Sequence, residues 1–270
     1  MKGQQTRTFY VTLAVLGLTI GVAVFKGFAG LTVKTFLLPF LGGVVWALSG
    51  LSAFIGTSRL GMAKAFGIWA PLNIIVSILW GIILFGEFLR TGVLNIALAG
   101  LSLVAIIGGI LLIVFSGADG EGDQKAGAAM AGFLGAFGAG VGWGSYFIPI
   151  RISGISMWVA TLPLAVGMFV GATALAAISR SSLRLEQPSH YARILATGSL
   201  WTIGNYGALL MMERIGTGKG FTIAQLCVVV NALLGVFWEN KPRPGTRAAH
   251  FTLTGVGVAT LGAALLGNLK

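Results

Sequence analysis

Apolar residues fall into long runs separated by short polar connections, and each run is long enough to meet the roughly 20 residues needed to cross a ~30 Å hydrocarbon layer. Nine spans are predicted, over 8–30, 35–57, 63–86, 92–116, 127–150, 156–179, 193–213, 218–238 and 249–268. Two connections are longer. Gly117–Lys125 carries Asp119, Glu121 and Asp123, and Arg180–Ala192 is marked by Ser, Pro and His. The pattern predicts an all-α integral membrane protein of nine transmembrane helices. The run after Arg7 is read as a retained span, because no small-residue cleavage site stands between it and the next helix.

The spans are related to one another. Arg59-Leu60-Gly61-Met62-Ala63-Lys64-Ala65-Phe66 and Arg214-Ile215-Gly216-Thr217-Gly218-Lys219-Gly220-Phe221 share the pattern R-[L/I]-G-x-x-K-x-F, 155 residues apart. Trp46 and Trp201 each stand 13 residues before the Arg, and Gly100 falls on Gly255. Spans two to four therefore match spans seven to nine, with a three-residue slip after the third, and the first matches the sixth. Glu87 and Glu239 close corresponding helices, with Arg90 and Lys241 following. The fifth span has no partner; its mate would lie before Met1. The expected organisation is an N-terminal repeat of four helices over 1–117, an acidic linker over 118–126 and a C-terminal repeat of five helices over 127–270. This is an incomplete 5+5 inverted repeat, with the first helix of repeat one apparently missing. An odd number of helices per repeat inserts the halves in opposite directions, as in many secondary transporters.

Composition strengthens the membrane reading. Only 9% of the 270 residues are charged, against about 25% in soluble domains. Mean hydropathy is +0.92. The 42 glycines suit helices that approach closely in lipid. The net charge of +11 would fit a nucleic-acid partner, but the Lys and Arg residues sit singly or in pairs between apolar runs, as interface anchors do. Nucleic acid is therefore not an expected partner. Loops on the Met1 side hold 11 Lys or Arg against 7 opposite, which would make the Met1 side cytoplasmic. Cys227 is the sole cysteine, so neither an intrachain disulfide nor a cysteine metal cluster is available. No Ser-His-Asp set, metal-ligand spacing or phosphate loop occurs, and His190 and His250 are boundary residues. No enzyme activity and no cofactor are expected.

Polar groups in lipid are costly unless paired, so those deep in spans are candidates for function. Asn73 follows Pro71, which predicts a broken or kinked helix presenting the amide to substrate; the alternative is an amide bridging two helices. Asn205 and Tyr206 lie in span seven, and Thr222, Gln225 and Asn231 in span eight. Neutral amides suit a neutral polyol better than a charged ligand. Trp46, Trp143 and Trp201 could stack on a sugar ring, though Trp also serves interfacial belts and packing. Gly138, Gly140, Gly142 and Gly144 form overlapping G-x-x-x-G pairs that predict close helix packing, and Pro149 is expected to end span five. Glu87, Glu213, Arg214 and Glu239 are candidates for coupling or gating. All stand at span ends, where the alternative is a paired, capped charge.

Two five-helix repeats, each with a Glu closing its fourth helix, resemble the drug/metabolite transporter superfamily. Within it, the second half is similar to the glucose/ribose porter (sugar uptake) family. The matching residues are Ile215-Gly216, Gly220-Phe221, Gln225-Leu226, Val228-Val229-Val230, Gly235-Val236-Phe237 and Glu239-Asn240-Lys241. Gly142-Trp143-Gly144-Ser145-Tyr146-Phe147-Ile148-Pro149 resembles the first helix of that family's second repeat, and Tyr146 joins the candidate substrate-binding residues. The resemblance implies alternating-access movement of a sugar or similar small polar metabolite across the inner cell membrane, often with proton symport; with no titratable residue placed in mid-span, facilitated movement and coupling through an edge Glu both stay open. Spans two, three, five, seven and eight would surround the centre. The partners so implied are a small-molecule substrate, the lipid bilayer and protons. A drug or metabolite exporter of the same superfamily is the alternative, and a non-transporting membrane scaffold is the alternative of another class.

Overall fold

The structure is a computed structural model that describes residues 2–87, 92–116, 126–185, 187–238 and 242–269. Among these residues there are eleven helices and no strands: α1 (Lys2–Lys26), α2 (Val33–Leu60), α3 (Met62–Phe85), α4 (Val93–Phe115), α5 (Ala126–Trp143), α6 (Ile148–Ser153), α7 (Met157–Ile178), α8 (Pro188–Ile215), α9 (Thr217–Ala224), α10 (Cys227–Phe237) and α11 (Arg247–Asn268). The protein is all-α and membrane-embedded. Large apolar side chains such as Val24, Ile83, Leu94 and Leu261 point outward, as lipid permits. Eight segments among the described residues are long and apolar enough to cross a membrane. Predicted span seven is helical in α8 but is not one of the eight. It carries Thr197, Ser199, Thr202, Asn205 and Tyr206, and ends in Glu213 and Arg214.

Two predicted spans are interrupted. Span five divides into α5 and α6 around a turn at residues 144–147, and span eight into α9 and α10 at Gln225–Leu226. Pro149 stands in the first turn of α6 rather than ending a helix. That position suits proline, because the first amides of a helix have no internal acceptor. The expected break at Pro71 does not occur. α3 runs as one helix from Met62 to Phe85 with Pro71 inside it. The ring costs one hydrogen bond to the carbonyl four residues earlier, which belongs to Gly67, and a neighbouring helix can support that turn.

The chain forms two compact units. One comprises Met1–Gly50 and Ser145–Leu210, the other Leu51–Gly144 and Met211–Lys270. Each draws helices from both predicted repeats. In the first unit, a Cβ on Gly198 of α8 would stand 2.5 Å from the Val11 carbonyl oxygen of α1. The Thr6 hydroxyl donates to the Ser182 carbonyl at 2.6 Å, and that of Tyr10 to the Leu183 carbonyl at 2.9 Å. These bonds fasten α1 to the segment after α7.

In the second unit, α4 and α11 pack antiparallel, because contacts that advance along one retreat along the other. A Cβ on Gly109 would lie 2.5 Å from the Gly255 carbonyl oxygen, and one on Gly255 would lie 2.6 Å from that of Gly109. One on Gly262 would lie 2.8 Å from the Ser102 carbonyl oxygen. The hydroxyls of Ser116 and Thr252 share a hydrogen bond of 2.6 Å at one end of the pair. In lipid, such close fit and polar bridging replace hydrophobic burial as the source of helix association.

The repeated motif has a backbone cause. Gly61 caps α3 with φ 81°, ψ 163°, and Gly216 caps α9 with φ 101°, ψ 157°. This region is open essentially to glycine alone. Both copies therefore start a helix immediately after the same glycine-only turn.

Candidate functional site

In the second unit the polar groups gather where the two interrupted spans meet α3. The Asn73 Nδ2 donates to Gln225 Oε1 at 3.4 Å. Gln225 lies in the break between α9 and α10, where its N–H is shared between the Phe221 and Thr222 carbonyls at 3.2 Å each. Asn73 is buried, and its Oδ1 has no hydrogen-bond partner. Gly144, just past the end of α5, lies against the same turn: a Cβ there would stand 2.8 Å from the Asn73 carbonyl oxygen. One on Gly140 would meet Leu72 at 2.9 Å. These close approaches are the packing expected of the G-x-x-x-G pairs. Trp143 meets Trp69 edge-on, with centroids 5.6 Å apart and planes at 90°. The Trp143 Nε1–H is buried without an acceptor.

In the first unit, Tyr146 lies in the turn between α5 and α6, and its hydroxyl donates to Asn205 Oδ1 of α8 at 2.9 Å. Both residues are buried, and the Asn205 Nδ2 has no acceptor. The neighbouring Tyr206 is also buried. Its hydroxyl lies beside that of Thr161, which donates to the Met157 carbonyl at 2.7 Å. The Tyr206 ring stacks on Trp158, centroids 5.3 Å apart and planes at 28°, and the Lys26 ammonium sits 4.9 Å over Trp158. Trp46 and Trp201, paired by the repeat, touch each other with centroids 5.1 Å apart and planes at 61°.

The sequence thus marked Asn73, Gln225 and Trp143, which come together in one unit, and Tyr146, Asn205, Trp46 and Trp201, all in the other. Trp158 and Trp69 escaped notice. Each is one more Trp in an apolar run, and only its ring neighbours distinguish it. Asn231 lies in α10, but its side chain is outside the described residues, as is Glu239 altogether. Glu213 and Arg214 are exposed at the end of α8. Glu87 is half-buried beyond α3, and its carboxylate accepts the backbone N–H groups of Thr217 and, at 2.9 Å, Gly218. The polar atoms left over in the two clusters are uncharged: one amide oxygen, one amide nitrogen, one indole N–H and one phenol. Such a set can donate to and accept from hydroxyl groups without demanding a counter-charge.

Fold and interior chemistry together define a multi-pass membrane protein with neutral polar groups inside. The profile of the family described as "Sugar transport protein" matches residues 1–269. The chain belongs to that family and is a multi-pass cell-membrane protein. It is 26% identical over 248 residues to "Probable glucose uptake protein GlcU" of Bacillus cereus, covering 89% of this chain and 82% of that one. It is also 26% identical over 265 residues to a provisionally named sugar uptake protein of Enterococcus faecalis, covering 94% of this chain and 89% of the relative. A solved crystal structure superposes with a TM-score of 0.72 at 19% identity, over 99% of this chain and 89% of its own. At that identity the likeness concerns the fold alone.

Proposed function

We propose that this protein carries a neutral sugar across the cell membrane by alternating access, with Asn73 and Gln225 in one unit, and Tyr146, Asn205 and Tyr206 in the other, as the candidate groups for hydrogen bonds to its hydroxyls. The observation that carries this reading is that, of six buried side-chain polar atoms without hydrogen-bond partners among the described residues, four belong to these clusters: Asn73 Oδ1, Trp143 Nε1, Asn205 Nδ2 and Tyr206 Oη. A buried group left unpaired costs about 1–3 kcal/mol, so the two such atoms in each unit make sense if a hydroxylated ligand can reach them. Trp46, Trp143, Trp158 and Trp201 offer apolar faces to a sugar ring. The names of the two relatives, one for glucose and one for sugar uptake, agree with this chemistry.

Among the described residues no carboxylate lies in mid-span, which favours passage without a titrating side chain there. The described carboxylates are Glu87 and Glu213, both at helix ends. One is engaged by backbone amides and the other is exposed. The reading is therefore of a carrier driven by the sugar gradient.

The test is uptake of radiolabelled glucose, ribose and rhamnose into proteoliposomes, with and without an imposed pH gradient. One sugar is expected to enter in either condition. Asn205→Ala and Gln225→Ala are each expected to lose about 80–90% of that uptake at low sugar concentration, the size of one lost hydrogen bond, at unchanged membrane abundance. Wild-type uptake by both variants would sink the assignment of these amides. Stimulation by the pH gradient would overturn the uncoupled reading. Uptake of none of the three sugars would favour an exporter.

A further inference from the structure

We infer that Glu87 is a positioning residue that holds the short helix α9, and with it Gln225, in register on α3. The inference rests on reading Gln225 as a sugar contact. Just beyond α3, Gly86 adopts φ 65°, and the Glu87 N–H donates back to the Gly81 carbonyl at 3.0 Å. This turn directs the side chain across to the start of α9. The first amides of any helix lack internal acceptors, and Gly216, the residue in the capping position of α9, has no side chain to provide one. Glu87 does so from another helix, 130 residues earlier in the chain. Both oxygens act as acceptors, and their negative charge faces the positive end of the α9 dipole.

The notch around the carboxylate is built from glycine. A Cβ on Gly81 would stand 2.8 Å from Glu87 Oε2, one on Gly216 3.1 Å from the carboxyl carbon, and one on Gly218 3.1 Å from Oε2. This explains a difference between the copies of the repeated motif. The first reads Met62-Ala63 where the second reads Thr217-Gly218. The second copy gives up a side chain where the carboxylate has to fit.

α9 has only eight residues, about 12 Å of helix, and meets α3 at both ends. At its start stand two bonds to a charged acceptor. At its other end stands the single Asn73–Gln225 bond, 3.4 Å long and neutral. Charge-assisted bonds are roughly twice as strong as neutral ones, so of the two ties to α3 the Glu87 end is the stronger; the Lys219 ammonium separately ties α9 to the Leu269 carbonyl at 2.8 Å. Between the two, Gly218 lies against Ile78: a Cβ there would be 3.2 Å from the Ile78 Cα. Freed from Glu87, α9 can slide or tilt along α3, and the Gln225 carboxamide leaves its place with it.

The decisive experiment measures sugar uptake kinetics in proteoliposomes for Glu87→Gln, Gly81→Ala, Gln225→Ala and the double variant Glu87→Gln/Gln225→Ala, across a range of pH. Glu87→Gln is expected to raise KM, by no more than the roughly five- to tenfold of Gln225→Ala, with Vmax and its pH profile near wild type, as for loss of binding alone. The double variant is expected to be no worse than Gln225→Ala, because both changes act through one amide. Gly81→Ala keeps the charge, favours the helix and pushes the carboxylate aside. It is expected to raise KM in the same direction and decides the matter if Glu87→Gln does not fold. Unchanged KM in both Glu87→Gln and Gly81→Ala, effects that multiply with Gln225→Ala, or a pH dependence of Vmax abolished by Glu87→Gln would each overturn the inference. A normal KM in Gln225→Ala would overturn the reading of the site itself. An impaired Gln225→Ala beside a normal Glu87→Gln would overturn only the positioning role.

Discussion

α3 and the α9–α10 pair begin alike and diverge in the middle. Each starts after a glycine in the same unusual backbone region, and each carries Lys and Phe at the same distance beyond it. Yet α3 contains a proline and stays continuous, whereas its counterpart contains none and breaks. The difference shows that a proline in a packed membrane helix removes one bond without dictating the path, and that a span can be interrupted where it has no proline. Gln225 sits in the break and reaches Asn73. Leu226, next to it, is the residue the repeat aligns with Pro71.

Variants that treat the two copies alike can break this comparison. The largest effect is expected at the capping glycines. Gly216→Ala forces a Cβ into a region costing of order 1–3 kcal/mol and also crowds Glu87, so it is expected to lower thermal stability and raise the KM for sugar. Gly61→Ala carries the backbone cost, and its KM is expected to stay near wild type. Equal KM changes in both would show that α9 has no special tie to the site. Next come Asn73→Ala and Gln225→Ala, each expected to raise KM by roughly five- to tenfold, the size of one lost hydrogen bond. Together they should do little more than either alone, and a fully multiplicative double variant would mean the amides work apart. The smallest effect is expected for Pro71→Ala: a stability change within about 1 kcal/mol and uptake close to wild type. Loss of transport there would restore the proline to a mechanical role.

The helices were legible because a bilayer demands long apolar runs. Span seven is the instructive exception: the residues that made it interesting, Asn205 and Tyr206 among them, also dilute its apolar character. The functional amides could be picked out one by one, since each is a polar residue amid apolar ones. Their pairings could not. Asn73 meets Gln225 and Tyr146 meets Asn205 only because helices distant in sequence are packed together. Glu87 was visible as an acid closing a helix, but the amides it holds lie 130 residues away. The break at Gln225 was hidden for a related reason: its local residues, Thr222 to Val230, include neither glycine nor proline.

The glycines that line the helix contacts differ in how far they allow the sequence to drift. Gly171 faces a methyl group: a Cβ there would stand 2.7 Å from that of Ala47. The two positions can exchange bulk, Gly171→Ala being compensated by Ala47→Gly, so a lineage can pass through either arrangement. Gly109 and Gly255 instead face each other's carbonyl oxygens, which every amino acid has. No substitution at one makes room at the other, and a change at either can be accommodated only by moving a whole helix. Descendants of this protein should therefore keep both glycines while the Ala47–Gly171 pair wanders.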